Sequence, residues 1–261
     1  MSVSGDHIQA GDLAGARATL VEAVRTDPAD AKARIELAEL LIVVGDLERA
    51  DTHLGAAQEL DTSWAMAVAL TRQLVRAAIW RREVFDAGRA PELVTERTPA
   101  IDAALAALLA EREGAPGSTE DDPALAVIHG DVDGRAFTGW RDADDRTAGV
   151  LEILTSTGNY VWVSLAQVRG LKLQKVERLR DVVWRGCEID VADGPSGIVY
   201  LPAIYHAASA EMTDAHRLGR ETDWVEGARV RGLGLRTWLI GDDALAPTDF
   251  SEIEIGTTAP A

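Results

Sequence analysis

The strongest constraint on this chain is an internal repeat. Gly11-Asp12-Leu13-x-x-Ala16 returns as Gly45-Asp46-Leu47-x-x-Ala50, 34 residues further on. At the same shift Leu20 matches Leu54, Ala23 matches Ala57 and Asp27 matches Asp61. Apolar residues between the two copies recur at helical spacing, as in Ile35, Leu37, Ala38, Leu41 and Ile42, so each copy reads as paired amphipathic helices. Gly11 and Gly45 suit a helix end that opens a tight turn, because glycine alone takes the left-handed conformation without strain. Ala16, Ala23, Ala50 and Ala57 are small enough to let paired helices approach closely. Asp27-Pro28 stops the second helix of the first copy, since proline lacks the donor that a continuing helix needs.

A period of about 34 residues is that of a helix–turn–helix unit of tetratricopeptide type, which buries its apolar face only by stacking on neighbours. Two units are clear. Ser63 is then predicted to cap a longer helix running to about Ala87, and Thr98 or Pro99 to open another that ends near Glu113. Six helices would make a short superhelical stack whose concave face suits a peptide or helix.

Residues 114–123, Gly-Ala-Pro-Gly-Ser-Thr-Glu-Asp-Asp-Pro, can neither continue a helix nor build a core and read as a linker. Beyond them the period changes to two. Ile153-Leu154, a Thr157-Gly158-Asn159 turn and Tyr160-Val161-Trp162-Val163 predict a β-hairpin. Glu188–Val191, Gly197–Leu201, Arg229–Leu233, Leu235–Ile240 and Phe250–Ile255 predict further strands, and Thr257–Ala261 a frayed tail. Five of the seven tryptophans fall here, at 140, 162, 184, 224 and 238. The expected class is therefore α+β. A tetratricopeptide-like helical array (1–113) and a linker (114–123) precede an antiparallel, barrel-like β domain (124–261).

A formal charge of −17 argues against nucleic acid or an anionic membrane as partner, because phosphate recognition needs clustered Lys and Arg. The first residues carry neither a basic segment nor an apolar one, and no run reaches 18 apolar residues. The single cysteine, Cys187, cannot pair within the chain and reads as a small packed residue. A cytoplasmic protein is expected.

Catalytic patterns are missing. Asp142-Ala143-Asp144-Asp145 has the density of a metal loop, but the Gly and Glu that a calcium loop needs are replaced by Thr147 and Ile153, so a solvated turn is expected. His7, His53, His129, His206 and His216 show no zinc spacing. No nucleophile elbow, phosphate loop or dinucleotide fingerprint occurs, and no cofactor or metal is expected. What stands out are polar–aromatic clusters: Arg180-Asp181-x-x-Trp184, Pro202-x-x-Tyr205, and Arg220-Glu221-Thr222-Asp223-Trp224. Such residues either lock a domain through hydrogen bonds or form a recognition surface.

These clusters, with Val132-Asp133-Gly134, Trp140, Asp142-Ala143-Asp144-x-Arg146-x-x-Gly149-x-Leu151-Glu152, Gly158-Asn159-Tyr160-x-Trp162-Val163, Val230-x-Gly232-x-Gly234-x-Arg236 and Leu239-x-Gly241-Asp242, follow one another in order. Taken together they resemble the type VI secretion accessory proteins called ImpE, SciE or TagJ, whose N-terminal part is also a helical repeat. His206-Ala207-Ala208 stands where that family tends to have Pro-Gly-Ser.

The resemblance implies a cytoplasmic, non-enzymatic adaptor of a contractile secretion machine. Its partner would be the N-terminal helix of the small sheath subunit, and it would assist sheath handling by the AAA+ disassembly ATPase. Arg180, Asp181, Trp184, Tyr205, Arg220, Thr222, Asp223 and Trp224 are then the partner-binding or domain-defining candidates. The competing reading is a small-ligand or hydrolytic module, with Asp142, Asp144, Arg180, Asp181 and Arg220 lining a polar pocket of the β domain.

Overall fold

The computed structural model describes residues 3–114, 125–227 and 229–256. Helices α1 (Val3–Ala10) and α2 (Leu13–Thr26) form one hairpin, and α3 (Ala31–Val44) and α4 (Leu47–Leu60) the next. The repeated sequence acts as its chemistry requires except at Asp46, whose side chain makes no capping bond to α4, and at Ala23, which is exposed where its counterpart Ala57 is buried. Gly45 sits at φ +84° and its N–H donates to the Ile42 carbonyl at 3.1 Å, closing α3. The Asp12 and Asp30 carboxylates accept the N–H groups of Gly15 and Ala33 at 2.7 and 3.0 Å, capping α2 and α3. Ala16, Ala50 and Ala57 are fully buried among Leu20, Leu41 and Leu54, where a larger side chain would push the helices apart.

Helix α5 (Ala65–Ala87) continues the stack after a 3-10 turn at Thr62–Trp64. The chain then departs from the all-helical reading of this half. Glu92–Leu93, strand β1, pairs in parallel with a strand of the second half. Two residues carry no periodicity, so this strand is invisible in the sequence. Helix α6 (Pro99–Glu113) starts where expected, with the Thr98 hydroxyl accepting the Ile101 N–H at 3.4 Å. It does not extend the stack, however: it lies against the β half, where Gly149 leaves room for Ala100. The expected six-helix superhelix is therefore a five-helix stack plus one helix on the sheet. Gly114 closes α6. The rest of the predicted linker, and the tail 257–261, lie outside the described residues.

The second half contains β2 (His129–Val132), β3 (Arg135–Thr138), β4 (Trp140–Asp142), β5 (Val150–Leu154), β6 (Tyr160–Ser164), β7 (Val168–Leu173), β8 (Trp184–Val191) and β9 (Gly197–Pro202). After the short helix α7 (Asp214–Arg217) come β10 (Thr222–Val225), β11 (Arg231–Gly234), β12 (Trp238–Ile240), β13 (Asp243–Leu245) and β14 (Glu252–Ile255). Nine strands form one sheet in the order β1-β6-β5-β9-β8-β7-β14-β2-β3, antiparallel except at β1. Val132 and Phe137 near one edge share a core with Val161 and Val163 near the other, so the sheet is strongly curled around its interior. β4, β12 and β13 form a smaller sheet, and β10 and β11 a two-stranded ribbon.

Strands β5 and β6 are buried on both faces. Leu151, Ile153, Val161 and Val163 point into the curled sheet with Trp238 and Phe250. Val150, Leu154, Tyr160 and Trp162 point the other way and join the core of the helices. The two halves thus share one apolar core, and the β5–β6 hairpin is the layer between them.

Candidate functional site

On that middle layer the alternation carries a charge into the interface. Glu152, 1% exposed, projects from β5 toward the helices. Arg81 of α5 grips it with two hydrogen bonds, Nε to Oε1 at 2.7 Å and Nη2 to Oε2 at 3.2 Å. Tyr160 Oη donates to the same carboxylate and accepts Trp162 Nε1–H at 2.6 Å. Arg236, 2% exposed, sits between Glu152 and Asp142, bonding both, and donates Nε to the Pro202 carbonyl at 2.9 Å. Asp142 also accepts the Tyr205 hydroxyl at 2.8 Å and the Asp144 N–H at 2.9 Å. The Tyr205 oxygen in turn accepts the Thr237 N–H at 3.0 Å. Beside this chain of contacts Asp144 pairs with Arg146, Nη2 to Oδ2 at 2.6 Å, and accepts the Gly232 N–H at 3.0 Å.

The environments split the two central carboxylates. Burial pushes the Asp142 carboxyl up to about 6 against the pull of Arg236. Glu152 is equally buried, but Arg81 and Arg236 together outweigh that cost and hold it well below the usual carboxylate range. Burial works against the charge of Arg236 too, yet Asp142 and Glu152 keep it firmly protonated. The hydroxyls of Tyr160 and Tyr205 are driven far above their ordinary range by burial, reinforced by the neighbouring carboxylates.

The Asp142–Asp145 segment is therefore not the solvated turn that its composition predicts. Asp142 and Asp144 are among the most buried residues of the chain, because Arg236, 94 residues along the chain, returns to neutralise Asp142 and Arg146, two residues along, neutralises Asp144. Among the described residues no group of three His, Cys, Asp or Glu is arranged to hold a metal. Cys187 is fully buried in the sheet interior, where burial raises its thiol to about 12.

Above the network, between the halves, lies a cleft of about 350 Å³, within the size range of recognition pockets. One side is Ile42, Val43 and Val44 from the end of α3, Leu47 of α4 and Ala78 of α5. The other is Val183, Trp184, Ile204, Tyr205, Ala207 and Met212. Its rim holds Arg82, bonded to Glu48, and Arg217. His206 stacks on Phe85 at 4.6 Å and bonds Asp86 at 2.7 Å.

The eight candidates from the sequence fall in four places rather than in one patch. Arg180 and Asp181 lie in the 3-10 turn Leu179–Val182 that docks on the helices. Arg180 bonds the Thr71 hydroxyl, and Asp181 accepts the Glu177 and Arg178 N–H groups at 3.1 and 2.9 Å. Trp184 and Tyr205 are buried and line the cleft. Arg220 reaches the end of α1, donating to the Ile8 and Gln9 carbonyls at 2.8 and 3.1 Å. Thr222, Asp223 and Trp224 lie on the β10 ribbon. Thr222 bonds the Leu235 carbonyl, Asp223 bonds His216, and Trp224, 41% exposed, meets the Tyr205 ring edge-on.

None of Asp142, Asp144, Arg180, Asp181 or Arg220 lines the cleft. Sequence reasoning gave no structural role to Arg81, Glu152 and Arg236. One signal was available: a lone carboxylate inside the apolar run Val150-Leu151-Glu152-Ile153-Leu154 implies a buried partner.

The ImpE protein family model matches residues 134–254 and a tetratricopeptide repeat model residues 7–74. Across 98% of its length the chain is 32% identical to the type VI secretion system accessory component TagJ of Pseudomonas aeruginosa, covering 92% of that protein. It also matches an X-ray crystal structure of protein VPA1032 from Vibrio parahaemolyticus, with a TM-score of 0.90, 27% identity and 98% coverage of each chain. With the repeat in place and the β half matched along most of its length, the chain belongs to the ImpE/TagJ family of type VI secretion accessory proteins.

Proposed function

We propose that this protein is a non-enzymatic adaptor of type VI secretion that holds the N-terminal helix of the small sheath subunit in the cleft between its two halves. It thereby assists sheath handling by the AAA+ disassembly ATPase in the cytoplasm. One observation carries the reading: the cleft is open, and its floor is apolar and drawn from both halves. An amphipathic helix lays its apolar face into such a groove, with a few anchors spaced at i, i+3, i+4 and i+7. The charged groups nearby support a holding role. The buried carboxylates face arginines and tyrosines rather than the cleft. Among the described residues no helix is long and apolar enough to cross a membrane.

The test is titration calorimetry of the whole protein with a synthetic sheath-subunit N-terminal helix. Binding is expected, and Val44→Arg, which places a charge on the cleft wall, should weaken it at least tenfold. No heat and no complex at high micromolar concentration would end the proposal.

A further inference from the structure

We infer that Asp214 and Arg220 are positioning residues that pin one wall of the cleft to the α1–α2 turn, so that the first helical hairpin sets how the cleft stands without touching its occupant. The inference rests on the cleft being the partner site. Tyr205–Ser209, Met212 and Arg217 line that wall, and the span that carries them has two feet on the helical stack. One is His206, bonded to Asp86 of α5 at 2.7 Å. The other is the α7 region. There Asp214 Oδ2 accepts the Leu13 N–H at 3.1 Å, and Arg220 donates to the carbonyls of Ile8 and Gln9.

The chemistry of the second foot is specific. At the α1–α2 turn the C-terminus of one helix, with its partial negative charge, meets the N-terminus of the next, with its partial positive charge. An arginine and a carboxylate six residues apart in the β half address both poles at once. Between the feet, Ala208–Glu211 is exposed, and Ala208 and Ser209 line the cleft. Arg217 ties the span internally by donating to the Met212 and Ser209 carbonyls, both at 2.7 Å. Leu218 is buried in the helical core, so loss of the polar pins loosens the wall without detaching it. No described residue of α1 or α2 lines the cleft.

Amide hydrogen exchange on the full chain tests this directly. In Asp214→Ala/Arg220→Ala, exchange is expected to quicken about tenfold both at the α1–α2 turn and across residues 204–213, and the sheath-helix peptide to bind about tenfold more weakly. Arg220→Lys, which keeps the charge but lacks the fork that spans two carbonyls, should fall between. It also serves if the double variant melts too low to study. Unchanged exchange at 204–213, or faster exchange there with unaltered peptide affinity, would overturn the inference. Failure of the unmodified protein to bind the peptide would instead sink the adaptor reading, while the exchange data would still decide whether the pins hold the wall.

Discussion

Replacing Arg236 by methionine should do more damage than any other single substitution in the network, and the damage should shrink as the pH falls. Arg236 has one guanidinium facing two carboxylates that are almost completely excluded from solvent. Removing one partner of a buried ion pair typically costs about 3–5 kcal/mol, because the other charge is left uncompensated. The two carboxylates differ in what they have left. Glu152 keeps Arg81 and Tyr160. Asp142 keeps only uncharged donors, Tyr205 and the Asp144 N–H. Asp142 already titrates at about 6 in the intact protein, against an ordinary 3.8. A folded state whose carboxyl is raised binds more protons than the unfolded chain, so the contribution of this group to stability falls as pH rises through that window. Without Arg236 the folded value rises further, and lowering the pH from 7.5 to 5.5 lets Asp142 protonate in the variant. The deficit should therefore narrow by about 1–2 kcal/mol over those two units. Urea denaturation followed by tryptophan fluorescence at both pH values measures it. A deficit below about 1 kcal/mol at pH 7.5, or one that does not move with pH, would refute the account of the network as charge compensation.

Three other outcomes follow from single sites. Gly232→Ala would place a methyl inside the Tyr205 ring, so it should destabilise by about 1–3 kcal/mol, seen as a lower Tm. Tyr160→Phe strips a donor from Glu152 and the acceptor of Trp162 Nε1–H, and should cost about 1–3 kcal/mol in urea denaturation. The Cys187 thiol, raised to about 12 by burial, should react with an aromatic disulfide reagent only as fast as the protein opens, and at full rate in denaturant. Prompt labelling of the native protein would show the sheet interior to be accessible.

Local patterns carried a large part of the fold. A repeat of 34 residues, its turn glycines and the Asp27-Pro28 stop are contained within a few residues each, so the helical hairpins could be read directly. The hairpin Val150–Ser164 was legible for the same reason, through its Thr157-Gly158-Asn159 turn. Local patterns failed where a residue's state depends on something distant. Asp142 and Asp144 have the composition of a surface turn. Only the return of Arg236, after 94 residues of chain, and the fixed place of Arg146 make burying them tolerable. Helix α6 was placed correctly along the chain but not in space, since its apolar face fits a helix stack or a sheet equally well.

The sequence by itself therefore determined the six helices of the first half and the strands with a clear period of two, β5, β6, β8, β9, β11, β12 and β14, because backbone preference and apolar period act over one or two turns, whereas short strands such as β1–β4 carry too little period to be read. Tertiary structure alone decided which charges are hidden, which helix leaves the stack and where a cleft opens between the halves. Those outcomes depend on pairing energies between groups that the chain brings together only after it has folded.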